Sequence, residues 1–202
     1  MQKLLGVFNQ SRSFLSDMQN VYRISWKNNL KSCTGKLRTY STYKHTFSLE
    51  NYIIQFPLAF RRNLTKLRIS AHNLAIETGR YTKGTNIMPN KRLCFHCKLV
   101  ESEYHLVLEC SLYTDLRKNF FERLNQISTI ASDPSDDTFS LLMSCLNEDV
   151  EVVKLFCEYI NNCFDKRRET YNTIRQDEIF KRPLSTLTRS GRISKRPTRI
   201  DI

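Results

Sequence analysis

The 202 residues carry 32 Lys and Arg against 20 Asp and Glu, a net charge of +12, with 40% apolar residues. That suffices for one domain with a core, and with only 5 Gly and 5 Pro it argues for helices over a many-turned β-sandwich. The charge points to a polyanionic partner, nucleic acid or an anionic surface. No apolar run has the length of a membrane span, and Leu4-Leu5-Gly6-Val7-Phe8 is too short for a signal-peptide core. The expectation is an intracellular protein, in nucleus or cytoplasm and not in a membrane, whose seven cysteines serve as metal ligands and thiols, not disulfides.

Residues 1–12 read as a flexible N-terminus. From Ser13 the spacing of Phe14, Met18, Val21, Tyr22, Trp26 and Leu30 predicts a helix over 13–31, ended by Ser32-Cys33-Thr34-Gly35. Lys36–Lys44, rich in Thr and Tyr, is extended-like, with an ambiguous period. Ser48 then suits the cap of a short helix holding Leu49, Tyr52 and Ile53. Pro57 suits the opening of another, whose stripe of Phe60, Leu64, Leu67, Ala71 and Leu74 runs on towards a stop at Gly79. The surrounding Arg61, Arg62, Lys66 and Arg68 are either a solvated face or phosphate contacts. A loop from Tyr81 to Asn90 follows.

Next comes Cys94-x2-Cys97-x7-His105-x4-Cys110. A single Cys or His is usually a buried core residue, but four at this spacing read as a Cys3His site for Zn²⁺. Four protein ligands leave no place for a reactive water, so the site is structural. Cys94 and Cys97 would share a tight turn. His105 and Cys110, five apart, would face one ion, and His96 inside the turn is an alternative ligand. Three thiolates, a neutral imidazole and Zn²⁺ leave one negative charge, offset by the flanking Lys91, Arg92 and Lys98. Glu103 either orients His105 or stays in solvent. Phe95, Tyr104 and Tyr113 either stack on bases or pack around the site.

Tyr113, Leu116, Phe120, Leu124 and Ile127 mark the next helix, broken by Ser132–Asp137 with Asp137 as N-cap. Phe139, Leu142, Met143 and Leu146 form a short helix. The last runs from about Glu148 to Arg175, with Cys157 and Cys163 as core residues. Residues 176–202 lose periodicity and hold Lys181-Arg182, Arg189, Arg192 and Lys195-Arg196. They predict a disordered basic tail: a nucleic-acid arm, a nuclear-targeting signal or a solubilising end. The expected architecture is thus mainly α: a helical zinc-binding domain over 13–175, with its zinc site at 94–110, between two tails.

Catalytic signatures are missing. Asp133, Asp136 and Asp137 lie in a turn, and the chain has neither a glycine-rich phosphate loop nor a Gly-x-Ser-x-Gly elbow. Several blocks do form a recurrent series: Lys36–Tyr40 with Lys44, Arg68–His72, Ile76–Arg80, Arg92-Leu93-Cys94-x2-Cys97, Glu101-x-Glu103-x-His105 and Leu108-x-Cys110-x2-Tyr113 with Arg117. The series resembles the zinc-binding region that follows the polymerase in non-LTR retrotransposon reverse transcriptases, over about Trp26 to Arg168. The resemblance implies a module that binds template RNA or target DNA, detached from an upstream polymerase domain that would be its partner in trans. The polymerase aspartates are not carried over, so no catalysis is expected. Arg61, Arg62, Lys66, Arg68, Arg80, Arg92 and Lys98 are the candidate nucleic-acid contacts. The rival readings are a zinc-stabilised protein-interaction module, presenting Phe120, Phe121 or the last helix, and a degenerate fragment without function.

Overall fold

The computed structural model describes residues 2–32, 37–81, 86–128, 134–144 and 149–181. Cys33, Cys145, Leu146 and the tail from Arg182 lie outside the described residues. The architecture is mainly α, as expected. In chain order come α1 (Gln2–Ser32), α2 (Arg38–Tyr43), α3 (Asn51–Gln55), α4 (Leu58–Arg68), α5 (Ala75–Thr78), α6 (Thr114–Ile127), α7 (Asp136–Ser144) and α8 (Val150–Lys181). Among the described residues the only strand-like pairing is an isolated antiparallel bridge between Leu93 and Val100. No helix there is long and apolar enough to cross a membrane.

The chain divides into a unit of residues 1–164 and a unit of 165–202. In the first, the core is built from Leu64 and Leu67 of α4, Phe120, Phe121 and Leu124 of α6, Phe139, Leu142 and Met143 of α7, and Phe156, Tyr159 and Ile160 of α8. Phe120 stacks on Tyr159 with ring centroids 4.6 Å apart. Phe120 and Phe121 are therefore packing residues and offer no face to a partner. Cys157 and Cys163 lie wholly inside. In the second unit, the α8 backbone stays helical to Lys181, where a disordered tail was expected from 176. Asp165 pairs with Arg168 at 2.8 Å there.

Several expectations about local structure are corrected. α1 starts at Gln2 instead of near Ser13, since a helix once nucleated extends at little cost through residues such as Gln, Lys and Leu. Its Phe14, Met18, Val21 and Tyr22 are exposed, while Trp26 packs on Phe47 at 5.5 Å. The segment read as extended is helix α2, because Thr39 is buried by tertiary hydrogen bonds that outweigh its β preference. α3 is preceded by Glu50, not capped by Ser48. The stripe from Phe60 to Leu74 is no single helix: α4 stops at Arg68, Ser70 turns left-handed (φ 53), and Ala71 N donates back to Lys66 O at 2.8 Å. Ser135 caps α7 in place of Asp137, its hydroxyl accepting from Thr138 N at 3.2 Å.

Gly79 ends α5 at an ordinary φ of −64°, so conformation is not why glycine stands there. A Cβ would lie 2.7 Å from Arg92 Cγ and 2.9 Å from Ala75 O. Arg92 cannot swing away, because its guanidinium donates to Ile76 O, Ile87 O and Asn86 Oδ1. Gly79→Ala is expected to cost about 1–3 kcal/mol through this overpacking. Thermal unfolding beside the exposed-site control Thr78→Ala checks it, and equal midpoints for the two variants would contradict it.

Candidate metal centre

The first two candidate ligands sit on a short hairpin. Leu93 pairs with Val100, Cys94 N donates to Leu99 O at 2.7 Å, and Lys98 N returns to Cys94 O at 3.1 Å. Lys98 closes the turn in the left-handed region (φ 64). Cys94 is buried, Cys97 half-buried and His96 exposed, which removes His96 from the candidate ligands.

The other two come from an unusual turn. In an α-helix, residues five apart are separated by about 1.4 turns and do not share a face. Here His105–Glu109 forms a π-helical turn, and Cys110 N donates to His105 O at 2.8 Å, bringing Cys110 back over His105. Ser102 Oγ accepts from His105 N at 3.1 Å at the start of this turn. Arg117 donates to Leu108 O and Cys110 O, and Tyr159 donates to Val107 O at 2.7 Å.

The four donor atoms, Cys94 Sγ, Cys97 Sγ, Cys110 Sγ and His105 Nε2, all lie within 4.8 Å of one another. Cys94 Sγ is 3.9 Å from Cys110 Sγ, and Cys97 Sγ is 3.2 Å from His105 Nε2. A tetrahedral ion with metal–sulfur bonds of about 2.3 Å requires sulfur–sulfur edges of about 3.8 Å. The donor set thus fits a metal ion. Its proton energetics agree: the hydrogen bond from Cys110 brings the Cys94 thiol down to about 3. The same bond, with burial, raises Cys110. Burial lowers His105, but the Cys94 sulfur and the Glu109 carboxylate outweigh it and leave the ring raised.

Glu103, expected beside His105 or in solvent, is buried and faces elsewhere. Its Oε1 accepts from Thr39 Oγ1 at 2.9 Å, His72 Nε2 at 2.9 Å and Arg38 Nη2 at 2.5 Å. Burial alone would raise this carboxyl, but His72 and Arg38 bring it down to about 2. Around it Ser70 Oγ meets Thr39 Oγ1 at 2.9 Å, Arg38 reaches Glu77 at 3.2 Å, and Glu101 Oε2 accepts from Ala75 N at 2.6 Å. This polar layer ties α2, the α4–α5 link and α5 to the segment that carries His105.

The candidate nucleic-acid residues are not brought together as the metal ligands are. Arg68 is 1% exposed, bound to Glu50, Met143 O and Ser144 O. Arg92 is likewise turned inward, so neither guanidinium can meet a phosphate in this fold. Arg80 pairs with Glu77 at 3.4 Å, and Arg61 donates to Phe56 O at 3.0 Å. Arg62 and Lys98 are exposed and Lys66 half-exposed. Tyr113 is a core residue, and Tyr104 packs edge-on against Phe139 at 5.1 Å. Sequence reasoning missed Glu50 and Glu109. The spacing His105-x3-Glu109, one i,i+4 step, was the available signal for the latter.

Comparison of the chain with protein-family models, with curated proteins and with solved structures gave no match.

Proposed function

We propose that this chain is a zinc-stabilised module without catalysis of its own that binds RNA or DNA. The observation that carries the reading is the convergence of three cysteine sulfurs and one imidazole nitrogen within 4.8 Å. Soft thiolates with one imidazole suit Zn²⁺ over the hard cations, and a full protein shell makes the ion structural. The net charge of +12 supplies the affinity for a polyanion. Arg61, Arg62, Lys66, Arg80 and Lys98 remain as contacts, without Arg68 and Arg92. Kinship with the zinc-binding region of non-LTR retrotransposon reverse transcriptases belongs to this proposal, with a polymerase domain as the partner. What supports it is that the blocks carrying the resemblance supply the buried polar layer, so the likeness falls on residues that set architecture.

Metal analysis of the purified chain should return one zinc per molecule. Filter binding should show affinity for RNA or DNA that falls linearly on a log–log plot against salt. Arg62→Glu with Lys66→Glu should flatten that slope by about 2, since each phosphate contact contributes about 0.9. A chain that binds neither nucleic acid, or binds with no salt dependence, overturns the nucleic-acid half and leaves the zinc half standing.

A further inference from the structure

We propose that Glu109 is the positioning residue of this metal centre, its carboxylate holding His105 in the form that binds through Nε2. The proposal rests on the metal-centre reading above. A neutral imidazole has one N–H and one lone pair, so whichever nitrogen donates a hydrogen bond leaves the other to bind metal. His105 Nε2 faces the sulfurs, 3.2 Å from Cys97 Sγ, while Nδ1 lies 3.3 Å from Glu109 Oε2. An ionised carboxylate only accepts, so Nδ1 carries the proton and Nε2 keeps its lone pair.

Burial makes that carboxylate matter. The His105 side chain is 1% exposed and has little access to water, so its Nδ1 depends on the one carboxylate that reaches it from a half-exposed position. The backbone around Glu109 is fixed on both sides, because Arg117 holds Leu108 O and Cys110 O and the π turn closes from Cys110 N to His105 O. The other nearby acid, Glu103, is committed to His72, Thr39 and Arg38. Glu109 is thus the acid placed to set the ring.

The test uses the full-length chain. Loaded with ¹¹³Cd²⁺, the wild-type protein should show coupling from the metal to His105 Nε2, with the proton on Nδ1. Zinc affinity, read by competition with a chelator, should fall about 10–100-fold in Glu109→Ala. Most of that affinity should return in Glu109→Gln, whose amide oxygen accepts the same bond. Coupling through Nδ1, an unchanged affinity in Glu109→Ala, or an equal loss in the alanine and glutamine variants each overturns the proposal. A wild-type chain that takes up no metal fails differently, since it removes the centre itself.

Discussion

Cys110→Ser is expected to lose its metal ion and about 5 kcal/mol of stability together, the largest single effect in the molecule. The reason is where the ligands stand. Cys94 and Cys110 are 1% and 0% exposed, and the turn between His105 and Cys110 contributes Leu106, Val107 and Leu108 to the same core as α6 and α8. Without the ion, closely packed thiols and a buried imidazole have only one another, and the turn loses the force that draws its ends together. Arg117 and Tyr159 still hold three of its carbonyls, so the rest of the helical core should persist in weakened form. Metal content and urea denaturation, each with and without chelator, check the expectation. His96→Ala is the discriminating control: it removes the exposed imidazole inside the Cys94–Cys97 turn and should change neither quantity. Retention of one zinc by Cys110→Ser, or its loss from His96→Ala, would show that the ligand set has been misassigned.

The Cys3His cluster could be read from sequence because metal chemistry dictates residue type and spacing. Four donors must surround one ion, which leaves a pattern in the chain. The π turn that makes the last spacing work left none, since nothing in His105–Cys110 announces an extra residue in the turn. Helices α6 and α8 were legible for a similar reason: their apolar faces are long and buried on one side, so Phe120, Leu124, Phe156 and Ile160 repeat with the helical period. α2 was not, because Arg38 and Thr39 are placed by partners 31–65 residues away in sequence. The cations misled most. Charge predicts a surface, and nothing local distinguishes Arg62, which stays in solvent, from Arg68, which spans the interior to the end of α7. A long-range acceptor decides between them, and neighbours in sequence do not reveal it.

Arg68 carries the second large expectation, of about 3–5 kcal/mol lost in Arg68→Met. Its guanidinium donates to Met143 O at 2.8 Å and Ser144 O at 3.3 Å, the last carbonyls of α7, and to the Glu50 carboxylate, whose other oxygen lies 3.1 Å from Lys44 Nζ. Methionine fills similar space but leaves those acceptors inside without this donor, which is why breaking a buried pair costs more than the pair contributes. The partner variant Glu50→Gln tests the same cluster by pH. Burial alone would raise the Glu50 carboxyl, yet its bonds to Arg68 and Lys44 win and hold it below the ordinary carboxylate range. A carboxyl lowered by folding adds stability above its unfolded pKa and loses it as pH falls through the folded value. The gap between wild type and Glu50→Gln should therefore be about 2–3 kcal/mol at neutral pH and shrink below about pH 4.5. Urea denaturation of both proteins across that range reads the gap directly, and effects shared by both, such as acid release of the metal, cancel. A gap that stays constant on acidification would mean that Glu50 contributes by shape alone.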